Sequence, residues 1–143
     1  MTVADIEVWA AMRAALWPEE TAEQHEAGIG DVLRGGQYWG FVAETPDARA
    51  VGFAEVSIRR YANGCESQPV PFLEGIWVEL QFRRQGIGAR LLRHVEAFVT
   101  ARGFSEIGSD ALIDNTPSHA AHRAWGFAET ERVIYFRKTL DKK

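Results

Sequence analysis

Apolar residues recur at helical spacing at the start of the chain, where Ile6, Trp9, Ala10, Met12 and Leu16, with Arg13 among them, mark one face of a helix. Asp5 is its expected N-cap, and Pro18 stops it directly after Trp17. Thr21-Ala22-Glu23-Gln24 spells a capping box for a second helix, which carries Ile29, Val32 and Leu33 and ends at Gly35-Gly36. The pattern then changes to that of strands, from Tyr38 to Glu44 and from Ala50 to Arg59, joined as a hairpin through Pro46-Asp47. A polar loop over residues 60–69 precedes an apolar run, Phe72 to Val78, that predicts a buried strand. Ile87, Leu91, Leu92, Val95, Phe98 and Val99 return to helical spacing until Gly103. A short strand from Glu106 to Asp110 follows. Thr116 as cap and Pro117 in the first turn then open a helix that closes near Trp125-Gly126. Thr130 to Thr139, rich in Val, Ile, Tyr and Phe, predicts a last strand. This order has no internal repeat and no low-complexity linker. It predicts a single α/β domain over residues 1–143, a mixed sheet with packed helices and a ligand cleft at a strand-to-helix turn.

Composition narrows the partners. The chain has 143 residues, enough for one domain with a real core, and 46% hydrophobic and 25% charged residues are ordinary for a globular protein. A net charge of −4 offers no basic footprint for nucleic acid and suits a cationic substrate. Cys65 is the only cysteine, so no internal disulfide forms and a reducing compartment fits. The N-terminus lacks the basic and apolar regions of a signal peptide, and no stretch approaches the ~20 apolar residues of a membrane span. The expectation is a cytoplasmic protein. His25, His94, His119 and His122 do not fall at metal-ligand spacing, so no metal is implied.

The candidate chemistry begins where the strand ending at Val78 meets the helix starting near Ile87. Arg83, Arg84, Gln85, Gly86, Ile87, Gly88 and Ala89 bring two glycines and two arginines to a helix N-terminus. Its first N–H groups are unpaired and the helix dipole adds partial positive charge, so this turn is an anion cradle. A dinucleotide fingerprint would need a third glycine where Leu91 stands, and a nucleotide-triphosphate loop would need a lysine and a different spacing. Arg83-x-x-Gly86-x-Gly88 instead resembles the R/Q-x-x-G-x-G/A pyrophosphate signature of the GCN5-related N-acetyltransferases, which use acetyl-CoA.

Ala124-Trp125-Gly126-Phe127 resembles the same superfamily's terminal G-F before its last strand. Leu16-Trp17-Pro18, Tyr61-Ala62-Asn63-Gly64-Cys65, Pro71-Phe72-Leu73-Glu74-Gly75-Ile76, Ser109-Asp110, Asn115-Thr116 and Glu129-Thr130-Glu131-Arg132-Val133-Ile134 resemble aminoglycoside 6'-N-acetyltransferases across nearly the whole chain. The resemblance implies that superfamily's α/β (α+β) fold and direct acetyl transfer from acetyl-CoA to the 6'-amino group of an aminoglycoside. It also implies antibiotic resistance and a homodimer. The closest rivals are another amine acceptor on the same fold, such as a polyamine or a protein amino group, and a non-catalytic CoA-binding module.

Residue by residue, the resemblance implies that the backbone of Ile76, Trp77 and Val78 binds the pantetheine arm, with the Val78 N–H polarising the thioester carbonyl. Strand alternation places Glu74 on the face shared by Phe72, Ile76 and Val78. There it either faces the acceptor amine, relaying its proton through water, or pairs with an arginine as a strand-end glutamate. Asp110 ends a strand on the side of the sheet where ligands gather, and matches the acceptor-binding aspartate. Trp17, Tyr61 and Glu131 map to the acceptor pocket, and Asn115 to a cofactor contact. His122 stands where many superfamily members carry a tyrosine acid, so the acid toward the departing thiolate is unassigned.

Overall fold

Three antiparallel strands begin the sheet because each turn between them is short or well anchored. A computed structural model describes residues 1–141 and contains β1 (Tyr38–Glu44), β2 (Ala50–Arg59), β3 (Val70–Val78) and β4 (Gly108–Ser109), in the spatial order β1-β2-β3-β4. β1 pairs antiparallel with β2 from Tyr38↔Ser57 to Glu44↔Ala50. The hairpin closes through Thr45, whose N–H donates to the Arg49 carbonyl at 2.9 Å. β3 pairs antiparallel with β2 and parallel with β4, so the sheet is mixed. The loop before β3 is tied down by Glu106, which accepts the Ser67 N–H at 2.7 Å and the Glu66 N–H at 3.0 Å. These amides hold its carboxyl below the usual glutamate range.

Helices α1 (Ile6–Leu16) and α2 (Ala22–Gly35) cover one face of the sheet, burying Trp9, Ala10, Met12 and Ile29 with Phe53 of β2. Gly40 makes room for this packing, since a Cβ there would lie 2.7 Å from the Trp9 ring. Helix α3 (Ile87–Ala101) covers the other face, where Phe98 meets the rings of Trp39 and Phe41. The α2 capping box forms as its sequence spells: Gln24 N–H donates to Thr21 Oγ1 and Thr21 N–H to Gln24 Oε1. Left-handed Gly36 closes that helix.

The chain divides into two compact units, Met1–Asp110 and Ala111 onward. The second contains α4 (Thr116–Ala124). Among the described residues, no helix is long and apolar enough to cross a membrane.

Several boundaries differ from the sequence pattern. Asp5 is the N-cap residue of α1 but makes no side-chain cap bond there, because its carboxylate accepts the Thr2 N–H at 2.7 Å in a preceding 3-10 turn. Asn115, not Thr116, caps α4, since its Oδ1 accepts the Ser118 N–H at 3.3 Å. β3 starts two residues early, at Val70. The strand expected over Glu106 to Asp110 is only Gly108–Ser109, because β4 finds β3 at just two register positions. Thr130 to Thr139 forms no strand among the described residues. Its apolar alternation is real, but a strand also needs a hydrogen-bonding neighbour.

Candidate active site

β3 and β4 run together only at Phe72↔Gly108 and Leu73↔Ser109, and within Met1–Asp110 the sheet opens beyond that point. β3 continues to Val78, so its last residues have β2 on one side and an open edge on the other. Which backbone groups face the opening follows from one bond. Glu79 N–H donates to the Val51 carbonyl at 2.8 Å, so by strand alternation Trp77 also turns its amide groups toward β2. The Trp77 carbonyl accordingly lies 2.8 Å from where a Gly52 Cβ would stand. Ile76 and Val78 turn theirs the other way. The Val78 carbonyl accepts from Arg83 Nε at 2.7 Å, leaving the Val78 N–H on the open edge.

The three residues are thereby divided. Ile76 and Val78 offer backbone groups to a ligand, whereas the Trp77 backbone belongs to the sheet and its side chain packs against the α1–α2 core.

At the end of this edge, Gly86 is the N-cap of α3 in the left-handed region, with φ +78 and no side-chain cap bond. Arg90 N–H is bonded to the Gly86 carbonyl at 3.0 Å, so the N–H groups of Ile87, Gly88 and Ala89 precede the first intrahelical bond. Arg84, also at positive φ (63), is exposed beside them. Gln85 Nε2 reaches the Gln81 carbonyl at 3.5 Å. An extended amide edge leading to uncapped helix amides fits a pantetheine arm followed by a pyrophosphate.

Glu74 lies at the point of opening. Glu55 pairs with Gly75 and Val56 with Leu73, so Glu74 is the extra residue of a β-bulge, opposite no residue of β2. The bulge corrects the expected facing. Glu74 shares a face with Phe72, Ser57 and Arg59, but Ile76 and Val78 fall on the opposite, α3-facing side. Simple alternation fails at one inserted residue. Glu74 Oε1 accepts from Ser57 Oγ at 2.7 Å and from Arg59 Nε at 2.8 Å, and its Oε2 accepts from Arg59 Nη2 at 2.7 Å. The Arg59 guanidinium stacks 3.6 Å from the Phe72 ring centroid.

Asp110 directly follows the Ser109↔Leu73 pair, as Glu74 directly follows Leu73, so each is the first residue beyond the last paired position of β3 and β4. Asp110 is exposed.

Trp17 lies beside this pair. Its Cζ2 and Cη2 atoms would be 2.6 Å from a Cβ on Gly75, so only glycine lets this edge of the indole reach β3. Tyr61 projects from the loop after β2 and is 65% exposed. Beneath Trp17 lies a buried polar cluster that the hydrophobic pattern passed over. Glu55, fully buried, accepts from Trp9 Nε1 at 2.6 Å, from Arg13 Nε and Nη2 at 2.5 and 2.9 Å, and from the Tyr38 hydroxyl. The signal was present: Arg13 interrupts the apolar face of α1, and Glu55, Ser57 and Arg59 alternate along one face of β2.

In the second unit, Asn115 spends its Oδ1 on the α4 cap. His122 Nδ1 lies 2.8 Å from the Ser118 carbonyl and 3.3 Å from Ser118 Oγ. Glu131 is exposed.

Known proteins share this fold. Residues 6–127 match the Acetyltransferase (GNAT) family. The chain is 46% identical over 137 residues to an aminoglycoside N(6')-acetyltransferase type 1 of Serratia marcescens, spanning 95% of this chain and 94% of that relative. It is 43% identical to a Stenotrophomonas maltophilia protein of the same name, over 98% of this chain and 91% of the relative. Among solved structures, AAC(6')-Ih from Acinetobacter baumannii superposes with a TM-score of 0.91 at 37% identity, over 99% of this chain and 96% of that one. AAC(6')-Iy in complex with the bisubstrate analog CoA-S-monomethyl-acetylneamine superposes with a TM-score of 0.90 at 41% identity, covering 98% and 95%. With the opened sheet, the glycine-capped helix and this similarity along nearly its full length, the chain belongs to the GNAT acetyltransferase family and has its fold.

Proposed function

We propose that this protein transfers the acetyl group of acetyl-CoA to the 6'-amino group of an aminoglycoside, and so confers resistance to it. The observation that carries the reading is the open β3 edge, with Ile76 and Val78 facing outward, running from the carboxylates Glu74 and Asp110 to the uncapped amides of α3. The names of the relatives and of the neighbouring structures support the choice of donor and acceptor.

Acetyl-CoA supplies an activated acyl group, and this chain's residues do the rest. Ile87, Gly88 and Ala89 N–H groups with Arg84 hold the pyrophosphate, and Ile76 and Val78 hold the pantetheine arm. The Val78 N–H donates to the thioester oxygen as it gains negative charge. Glu74 and Asp110 hold the acceptor's ammonium and pass its proton to water, freeing the lone pair that forms the new C–N bond as the C–S bond breaks. The departing thiolate takes a proton from solvent. Trp17 and Tyr61 present flat amphipathic faces to the sugar rings.

The whole chain is proposed to act as one acetyltransferase domain, since the family match runs over residues 6–127 and includes both units. A cytoplasmic location agrees with a lone cysteine and with the intracellular supply of acetyl-CoA. A homodimer is supported by the C-terminal segment, where Ile134, Tyr135 and Phe136 are 80%, 78% and 91% exposed. A strand-patterned run with exposed apolar side chains is a template for pairing with a second copy.

Product analysis tests the reaction. Nuclear magnetic resonance of tobramycin incubated with enzyme and acetyl-CoA should show a single acetyl group on the 6'-nitrogen. Acetylation at another nitrogen would refute the assignment.

A further inference from the structure

A depression of about 310 Å³ beside Trp17 is lined by Arg13, Trp17, Glu19, Glu20 and His25. His25 is 2% exposed, and its Nδ1 is a buried polar atom without a hydrogen-bond partner among the described residues. The other ring nitrogen explains why. Nε2 lies 3.0 Å from the Trp17 carbonyl, which can only accept, so in the singly protonated ring Nε2 carries the proton and Nδ1 presents a lone pair. The group nearest to that lone pair is Glu20 Oε2, at 3.5 Å, another acceptor and too distant for a good bond. Two acceptors facing one space call for a donor between them.

The charge of the depression points the same way. Arg13 is the cation in its lining, but its guanidinium already bonds both oxygens of buried Glu55, so that charge is matched. Glu19 enters no ion pair among the described residues, and the Glu20 side chain is 60% exposed. The lining is therefore net acidic, with an indole wall. Trp17 is shared, lying against Gly75 beside Glu74 on one side and lining the depression on the other. A ligand stacked on Trp17 at the carboxylates thus has a route into the second space.

We propose that this depression is a subsite for the third amino-bearing ring of a polycationic acceptor. Its ammonium donates to His25 Nδ1 and Glu20, with Glu19 adding charge. The subsite rests on the acceptor reading given above and determines which acceptors bind well, rather than the chemistry. Glu19 and Glu20 lie at the surface, so their replacement leaves the core intact.

The test is calorimetric titration of two acceptors into the CoA-saturated protein: neamine, with two rings, and tobramycin, with three amino-bearing rings. Exposed charge pairs are individually weak, so Glu20→Gln should weaken tobramycin about threefold and the double variant Glu19→Gln/Glu20→Gln about tenfold. Neamine should change by less than about twofold. Glu7→Gln, an exposed acid on α1, controls for the general field and should move neither. The ¹⁵N resonance of His25 Nδ1 should shift on adding tobramycin and stay put with neamine. Equal weakening of both acceptors, no weakening of either, or an unmoved His25 resonance overturns the subsite. If the unmodified protein bound neither compound while binding CoA, the acceptor reading would fall, and the subsite with it.

Discussion

Arg59 holds Glu74 by both carboxylate oxygens, at 2.8 Å from Nε and 2.7 Å from Nη2, at the residue where the sheet bulges. The arrangement combines the two roles open to this glutamate. It is paired to an arginine, and it also stands where β3 and β4 part, one residue beyond their last pair, as Asp110 does. Its side chain is 20% exposed, so the pair remains open to a third charged group. An incoming ammonium can share a carboxylate that is already fixed in place.

Removing either carboxylate should therefore separate acceptor chemistry from donor binding. Glu74→Gln and Asp110→Asn should each lower kcat/KM for the aminoglycoside about 10²-fold, the lower end of general acid–base contributions, with the KM for acetyl-CoA within about twofold. Steady-state kinetics with each substrate varied reads both. A comparable rise in acetyl-CoA KM would contradict the division.

Val78 offers a test of the backbone. Its side chain is not the expected functional group, and its N–H faces the open edge rather than β2, so Val78→Pro removes the donor without breaking the β2–β3 ladder. Loss of one donor to a developing oxyanion costs about 10²–10³-fold in kcat. Circular dichroism should show the fold retained. A loss below about tenfold would mean that the thioester oxygen is stabilised elsewhere.

Tyr38 predicts a stability change at high pH. Burial first, and then the neighbouring Glu55 carboxylate, push its hydroxyl far above the ordinary 10.0. In the unfolded chain the phenol ionises near pH 10 while the folded protein keeps it neutral. The contribution is therefore complete below about pH 10 and is lost above it, by up to about 1.4 kcal/mol per pH unit. Tyr38→Phe should start less stable and lose less between pH 10 and 11 in urea unfolding. Parallel curves would contradict the assignment.

How far the sequence reveals this site depends on range. β1 and β2 begin and end where alternation and the Pro46-Asp47 turn place them, and the α2 cap is spelled by Thr21 and Gln24. These signals are local. The glycine-capped turn was equally legible, because positive φ at Gly86 is a property of one residue. An arginine partner for Glu74 was one of the two readings the sequence offered, but its identity as Arg59 was not legible, since it depends on register between strands and on one inserted residue. For the same reason, β4 is shorter than the strand expected from Glu106 to Asp110: its length is set by where β3 departs from it. Glu55 was missed because a buried carboxylate in a strand reads as an exposed alternate position until Arg13, Trp9 and Tyr38 are brought to it.

The C-terminal segment predicts assembly. Ile134→Glu/Phe136→Glu should convert a dimer of twice 16.0 kDa into a monomer by light scattering, without loss of the helical signal. A monomeric unmodified protein would refute the pairing.

Thiol release from acetyl-CoA, measured with the unmodified enzyme against kanamycin, tobramycin, spermidine and a lysine peptide at matched concentrations, identifies the acceptor. Saturable turnover is expected with both aminoglycosides, at a kcat/KM at least about a hundredfold above that of the polyamine or the peptide. Turnover of spermidine or the peptide with none of either aminoglycoside would contradict the proposed reaction.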